Sequence, residues 1–223
     1  MNKEIIKKQE CLNEMAKARE ILASNPAQKE RLEALMDLCC GYVLVAKQNF
    51  ALNMEFENAD LMEEFMIYAE ELEGYDHMLN QLYDVCSHMD ETVYDHPRLM
   101  VDFKRLLRDV VYRIEAINDR ELGISEDLSQ QISELETNIW YADHEEWSKI
   151  KTIGILKKDP IEYSQDFEEM IAEVEEELYE HFKDVPRQLG FCYGYWRKKK
   201  ELLALRGIDW KTPAEMNPQV MFD

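Results

Sequence analysis

Helix breakers are scarce in this chain. It has seven glycines and six prolines in 223 residues, while Leu, Glu, Met and Ala are plentiful, which favours helices over sheets. The five cysteines, Cys11, Cys39, Cys40, Cys86 and Cys192, are odd in number and form no C-x-x-C pair. That excludes a disulfide framework and a zinc-finger spacing, and leaves free thiols in a reducing compartment. The longest apolar run, Leu38 to Ala46, is too short to span a bilayer. The opening MNKEIIKKQE lacks the apolar core of a signal peptide. A soluble cytoplasmic protein is the expectation.

The most informative absence is of positive charge. Lys47 and Arg98 have no Lys or Arg between them, while thirteen Asp and Glu accumulate there. A second block, Glu162 to Glu180, has nine acids and no Lys or Arg. The whole chain carries 26 basic against 47 acidic residues, a net charge of −21. Such a charge repels nucleic acid and anionic membranes and attracts basic partners.

What is present is helical periodicity. A first helix is expected over 2–23, with Ile5, Leu12, Met15 and Leu22 on one face. Asn25 and Pro26 are read as the cap and first position of the next helix. Leu32, Met36, Cys39, Val43, Ala46 and Phe50 then step by four and three. Leu61, Phe65, Tyr68, Leu72, Tyr75, Leu79, Leu82, Cys86 and Met89 repeat the pattern for four heptads. The two registers do not join across 53–58, so two helices with a break there are favoured over one.

Pro97 opens a helix to about Arg120, with Leu99, Phe103, Leu106, Val110, Ile114 and Ile117 inward. Gly123 breaks it, and Ser125 is expected to cap the next helix, whose seam is Leu128, Ile132, Leu135 and Ile139. A short helix is expected near 145–156. Ser164 caps a helix with core face Phe167, Ile171, Val174, Leu178 and Phe182. Pro186 is read as the start of the last long helix, which ends at Gly207. Thr212 to Asn217 is a capped single turn, and Met216, Val220, Met221 and Phe222 are expected to pack back on the bundle. The fold expected is all-α, a bundle of about seven or eight helices, several long with heptad seams, mostly antiparallel. It is read as one helical domain, with 121–125 as the place where it would divide into two subdomains.

In the 61–89 register, Glu63, Glu70 and Asp84 fall opposite the seam, Glu73 and Asp76 beside that row, and Glu57 and Asp60 extend it. Residues three or four apart on a helix lie ~5–6 Å from one another, so this is a row of carboxylates. Surface helices ordinarily mix both signs; this one does not. The candidate partner-binding residues are therefore Glu57, Asp60, Glu63, Glu64, Glu70, Glu71, Glu73, Asp76 and Asp84. The function expected is non-catalytic protein–protein interaction with a basic partner. In its sharpest form it is an inhibitor that imitates nucleic-acid phosphates and sequesters a nucleic-acid-binding protein. Direct binding of nucleic acid or membrane is not expected, nor is a cofactor. The basic helices 97–120 and 186–206 are expected to neutralise part of the acidic surface.

Four other chemistries have candidate residues in the chain. Glu73, His77, Asp84 and His88 recur near one stripe, but no Glu-x-x-His occurs, the unit from which metal-carboxylate bundles are built; no metal site is assigned. Cys192 and the aromatic-basic run Phe191 to Lys200 read as core positions with a solvated basic end rather than as a nucleophile or a single-strand platform. The spacing Glu70-x-x-Glu73-x-x-Asp76 in EELEGYD resembles the carboxylate motif of the all-α MazG-like pyrophosphohydrolases. That resemblance covers seven residues and implies a magnesium-dependent nucleotide hydrolase holding its metal on inward-facing acids, with Glu57-x-x-Asp60 as the available second pair. A structural homodimer formed through the heptad seams is the remaining alternative.

Overall fold

The computed structural model describes residues 3–222. Its helices are α1 (Lys3–Ala23), α2 (Gln28–Leu52), α3 (Asn58–Glu73), α4 (Leu79–Asp90), α5 (Pro97–Asn118), α6 (Ile124–Asp143), α7 (Gln165–Phe182), α8 (Phe191–Leu205) and the single turn α9 (Pro213–Met216). The described residues contain no strand. The all-α expectation holds, with eight helices longer than one turn among the described residues. The chain divides into two compact units, Met1–Tyr94 with Leu99–Ile132, and Asp95–Arg98 with Ser133–Asp223.

The first unit is organised around α2. This helix is buried around most of its circumference, from Leu32 through Leu35, Leu38, Cys39, Tyr42 and Ala46 to Asn49. A helix apolar on most sides is a central one. Helix α1 crosses it where Gly41 leaves room: a Cβ there would run into Met15, which is 1% exposed. Met62, Phe65, Ala69 and Leu72 of α3, Leu79, Leu82, Cys86 and Met89 of α4, and Phe103 and Val110 of α5 complete the core.

Asn53 makes the break between α2 and α3. Its φ of 58° is left-handed, its N–H donates to the Phe50 carbonyl and that of Met54 to the Asn49 carbonyl. This is the usual helix-ending geometry, with Asn in the place of Gly. Buried asparagines then fix the turn. Asn49 Nδ2 donates to Asn58 Oδ1 at 2.8 Å, and Asn58 Nδ2 donates to the Thr92 carbonyl at 3.0 Å.

The single helix expected over 61–89 is two helices. After Glu73 the chain makes a 3-10 turn, Asp76–Met78, in which the N–H of Tyr75 bonds to the Leu72 carbonyl and that of Met78 to the Tyr75 carbonyl. The carboxylate row is therefore not continuous, and Asp84 belongs to a separate helix from Glu63 and Glu70. Asn25 likewise does not cap α2. It is left-handed (φ 55°) and ends α1, while Ala27 precedes α2 without a side-chain cap. Ser125 lies inside α6 and donates to Glu115 at 2.7 Å. Ile5 and Ile117, expected inward, are 48% and 54% exposed.

In the second unit, Phe167, Ile171, Val174 and Leu178 of α7 pack with Leu202, Leu203, Ile208 and Trp210. Ser164 caps α7 by accepting from the Phe167 N–H. Gly207 is left-handed, and the buried Ile208 donates its N–H back to the Leu203 carbonyl at 3.0 Å. The Thr212–Glu215 capping box is formed. Two expected elements differ. Only Trp147–Lys149 is helical within 145–156, as one 3-10 turn, and α8 starts at Phe191, not Pro186. Phe222 does return, packing edge-on against Trp196 with centroids 5.1 Å apart, whereas Met221 stays 89% exposed.

Candidate acidic interface

Helix α3 carries most of the candidate acids, and its buried side sorts them. Met62, Phe65, Ala69 and Leu72 face the core. At 3.6 residues per turn, Ile67 and Asp60 lie most nearly opposite the core, Glu63 and Glu70 on one side of them, and Glu57, Glu64 and Glu71 on the other, toward one flank, while Glu73 borders the buried side at the opposite flank.

The flank acids are met by cations of the same unit. Lys8 Nζ lies 2.6 Å from Glu57 Oε2. Arg31 Nε donates to Glu71 Oε1 at 2.6 Å. Arg19 donates to Glu64 at 3.0 Å and to the Tyr42 hydroxyl at 2.7 Å, and that hydroxyl in turn donates to Glu64. Burial, and then the hydrogen bond to Glu64, push the Tyr42 hydroxyl well above its ordinary pKa. On the other flank Arg113 reaches from α5. It pairs with Glu73 Oε1 at 3.4 Å, with the Glu73 carbonyl and with Asp76.

The outward acids are different. Asp60, Glu63 and Glu70 of α3, and Asp84 of α4, are exposed, and no ion pair joins any of them to a cation among the described residues. Ile67, between them, is 66% exposed. The nine candidates are thus not one surface. Five are neutralised in place, three form a cation-free stripe on α3, and Asp84 stands on the next helix. Exposed pairs of this kind are worth only ~0–1 kcal/mol each, so the pairing matters more for where charge remains than for stability.

The second acidic block is partly neutralised too. Arg98 meets Glu168 at 3.2 Å, Arg206 meets Glu177, and Lys199 meets Glu175 at 2.9 Å. Lys199 corrects the expectation of a solvated basic end, for it is 6% exposed. Its ammonium lies 5.4 Å from the Trp210 ring centroid and 5.8 Å from that of Phe167, and 3.4 Å from Asp95 Oδ2. The spacing carries the signal: Lys199 is four residues after Tyr195 and three before Leu202, on the apolar stripe of α8.

No group of three or more His, Cys, Asp and Glu side chains able to hold a metal ion forms among the described residues. No helix there is long and apolar enough to cross a membrane. No family model matches the chain, and neither a curated protein nor a solved structure shows a significant likeness to it.

Proposed function

We propose that the protein is a non-catalytic interaction protein that docks a basic partner on the outer face of α3. Within that role it acts as an inhibitor, covering the cationic surface through which its partner would hold nucleic-acid phosphates. The observation that carries this reading is the sorting of charge on α3. Every flank acid has a cation supplied from another helix, while the outward stripe of Asp60, Glu63 and Glu70 has none among the described residues. The stripe is rooted in a helix whose opposite side is fully buried, so its carboxylates are held at fixed spacing. Lys and Arg that bind phosphates do so mainly through charge, and a rigid row of carboxylates competes for the same groups. Ile67 adds an apolar contact at the centre of the stripe, as interface cores do.

The hydrolase alternative needs Glu70, Glu73 and Asp76 to converge on a magnesium ion. Arg113 already lies against both Glu73 and Asp76, and Glu70 is outside that grouping, on the exposed stripe. A guanidinium in that position repels a divalent cation, which favours the docking reading.

The test is affinity capture from host lysate with the wild-type chain and with the triple variant Asp60→Lys, Glu63→Lys, Glu70→Lys, each eluted along a salt gradient. The expected result is a basic protein released from the wild type at moderate salt, displaced by added nucleic acid, and absent from the variant. Equal capture by both chains would remove the basis of the proposal.

A further inference from the structure

The segment 151–157 of the second unit is an apolar loop held out from the surface by two buried asparagines. Asn138 of α6, 1% exposed, accepts from the Lys151 N–H at 2.9 Å and donates to the Lys151 carbonyl at 2.8 Å. Asn217, also 1% exposed, does the same at the other end. It accepts from the Lys157 N–H at 2.9 Å and donates to the Lys157 carbonyl at 2.9 Å. Each amide thus grips one residue by both its backbone groups, as a neighbouring strand would. Between the grips the chain bends at Gly154, whose φ is 83°, a conformation that glycine adopts without strain. The bend leaves Ile155 100% exposed and Leu156 40% exposed. The gripped residues supply cations along the loop: Lys151 and Lys157 are exposed, and neither is joined to an acid among the described residues. Buried polar side chains spent on holding an apolar tip in water make a built finger, and exposed apolar groups so presented mark an interaction site.

The finger has an apolar end and a basic collar, in a chain of net charge −21. That net charge opposes an anionic membrane and a second copy alike, so local charge and shape decide the target. The surface that complements it is on this chain. Between α7 and α8 lies an open groove of about 710 Å³ lined by Glu173, Glu176, Glu177, Glu180, His181, Lys198 and the apolar Leu202. Leu205, three residues beyond Leu202 on the same side of α8, is 77% exposed at the end of that line. Arg206 lies against Glu173, at 4.0 Å, and Glu177, and Lys183 against Glu180, which leaves Glu176, exposed and joined to no cation among the described residues, as the groove's open carboxylate. We infer that the Ile155 finger of one molecule seats in the α7–α8 groove of a second copy, its lysines toward Glu176 and the loosely held Glu173. The contact joins two different surfaces, so it builds either a reciprocal pair or a head-to-tail series. It is independent of the α3 stripe.

Sedimentation velocity of the full chain, over a concentration series at about 150 mM salt, where charges are still felt over ~8 Å, tests this. The wild type is expected to associate as concentration rises. Ile155→Ser, at a side chain that is 100% exposed, is expected to weaken association at least tenfold without changing the circular dichroism. Lys151→Glu with Lys157→Glu abolishes it, as does Glu173→Lys with Glu176→Lys. Mixing those last two charge-reversed chains restores it, because the reversed finger then meets the reversed groove. The α3 variant Asp60→Lys, Glu63→Lys, Glu70→Lys associates like the wild type, so failure here and failure of the docking proposal are distinguishable. A wild type that stays monomeric overturns the inference, as does association that survives the finger variants. A monomer that co-sediments with phosphatidylserine vesicles through Ile155 also overturns it, by giving the finger a different target.

Discussion

Replacing Lys199 with methionine isolates one group in the core of the second unit. The side chain is shortened by one atom, stays apolar along its stem and loses its charge. Glu175 then loses the cation that stands against it at 2.9 Å, whereas Asp95 keeps Lys158 at 3.2 Å. Breaking one partner out of a buried ion pair costs ~3–5 kcal/mol, because a desolvated charge is left behind. Glu175 and Asp95 retain some exposure, 22% and 28% of their side chains, which puts the cost at the lower end. The attraction of the ammonium to the Phe167 and Trp210 rings adds ~0.5–1 kcal/mol each, and methionine packing against the same rings returns a similar amount. The net loss is about 3 kcal/mol. All four tryptophans, Trp140, Trp147, Trp196 and Trp210, lie in the second unit, so their fluorescence reports that unit alone during urea unfolding. With a slope of ~1.5 kcal/mol/M, the midpoint falls by roughly 2 M. Lys198→Met, one position away on an exposed i,i+3 pair, moves the stability by less than ~0.5 kcal/mol. The double variant Lys199→Met, Glu175→Gln recovers most of the loss, since Asp95 keeps Lys158 and no carboxylate is left without its cation. A Lys199→Met chain as stable as the wild type would refute the reasoning.

Gly41→Ala is expected to destabilise the first unit by ~1–2 kcal/mol in thermal or urea unfolding followed by circular dichroism. The new methyl overpacks against Met15, at ~1–3 kcal/mol, and the gain in helix propensity, ~1 kcal/mol, offsets only part. Asn58→Ala leaves the Asn49 amide and the Thr92 carbonyl unpaired in the core, at ~1–3 kcal/mol, and the same measurement reads it. Acid unfolding of the second unit depends on Asp95. Burial alone would raise its pKa, but Lys199 and then Lys158 outweigh it and hold the carboxyl well below the ordinary range. A depressed folded-state pKa gives stability that is fully present above ~4 and is lost as pH falls through the folded value. Tryptophan-detected stability against pH is therefore flatter below ~4 in Asp95→Asn than in the wild type.

Much of the fold is legible because the apolar spacing of 3.6 is strong in α5 and α7, and because Ser164, Gly207 and Thr212 announce their turns locally. The break after Glu73 is not. A 3-10 turn advances the chain by three residues, so Leu72, Tyr75 and Leu79 keep the spacing of an unbroken seam. The charge sorting on α3 is only half legible. Spacing places Glu63 and Glu70 on the exposed side of α3 correctly, since that is decided within the helix. Which acids are neutralised is decided by Lys8, Arg19, Arg31 and Arg113, each about forty or more residues away in sequence. The cation-free stretch between Lys47 and Arg98 is served from α1, α2 and α5, and no local rule shows that. Lys199 escapes for a related reason: a run of four basic residues reads as solvated until each is placed on its own side of α8.

The most direct test of the docking function is the affinity of the captured partner, purified, for the wild-type chain and the α3 triple variant across a salt series. The expected result is a wild-type affinity that falls steeply as salt rises, since exposed charges are screened within ~8 Å at physiological ionic strength. The variant is expected to bind at least tenfold more weakly with a shallower dependence, and nucleic acid to compete with the wild type. A partner that binds both chains alike, with the same salt dependence, would contradict a role for Asp60, Glu63 and Glu70.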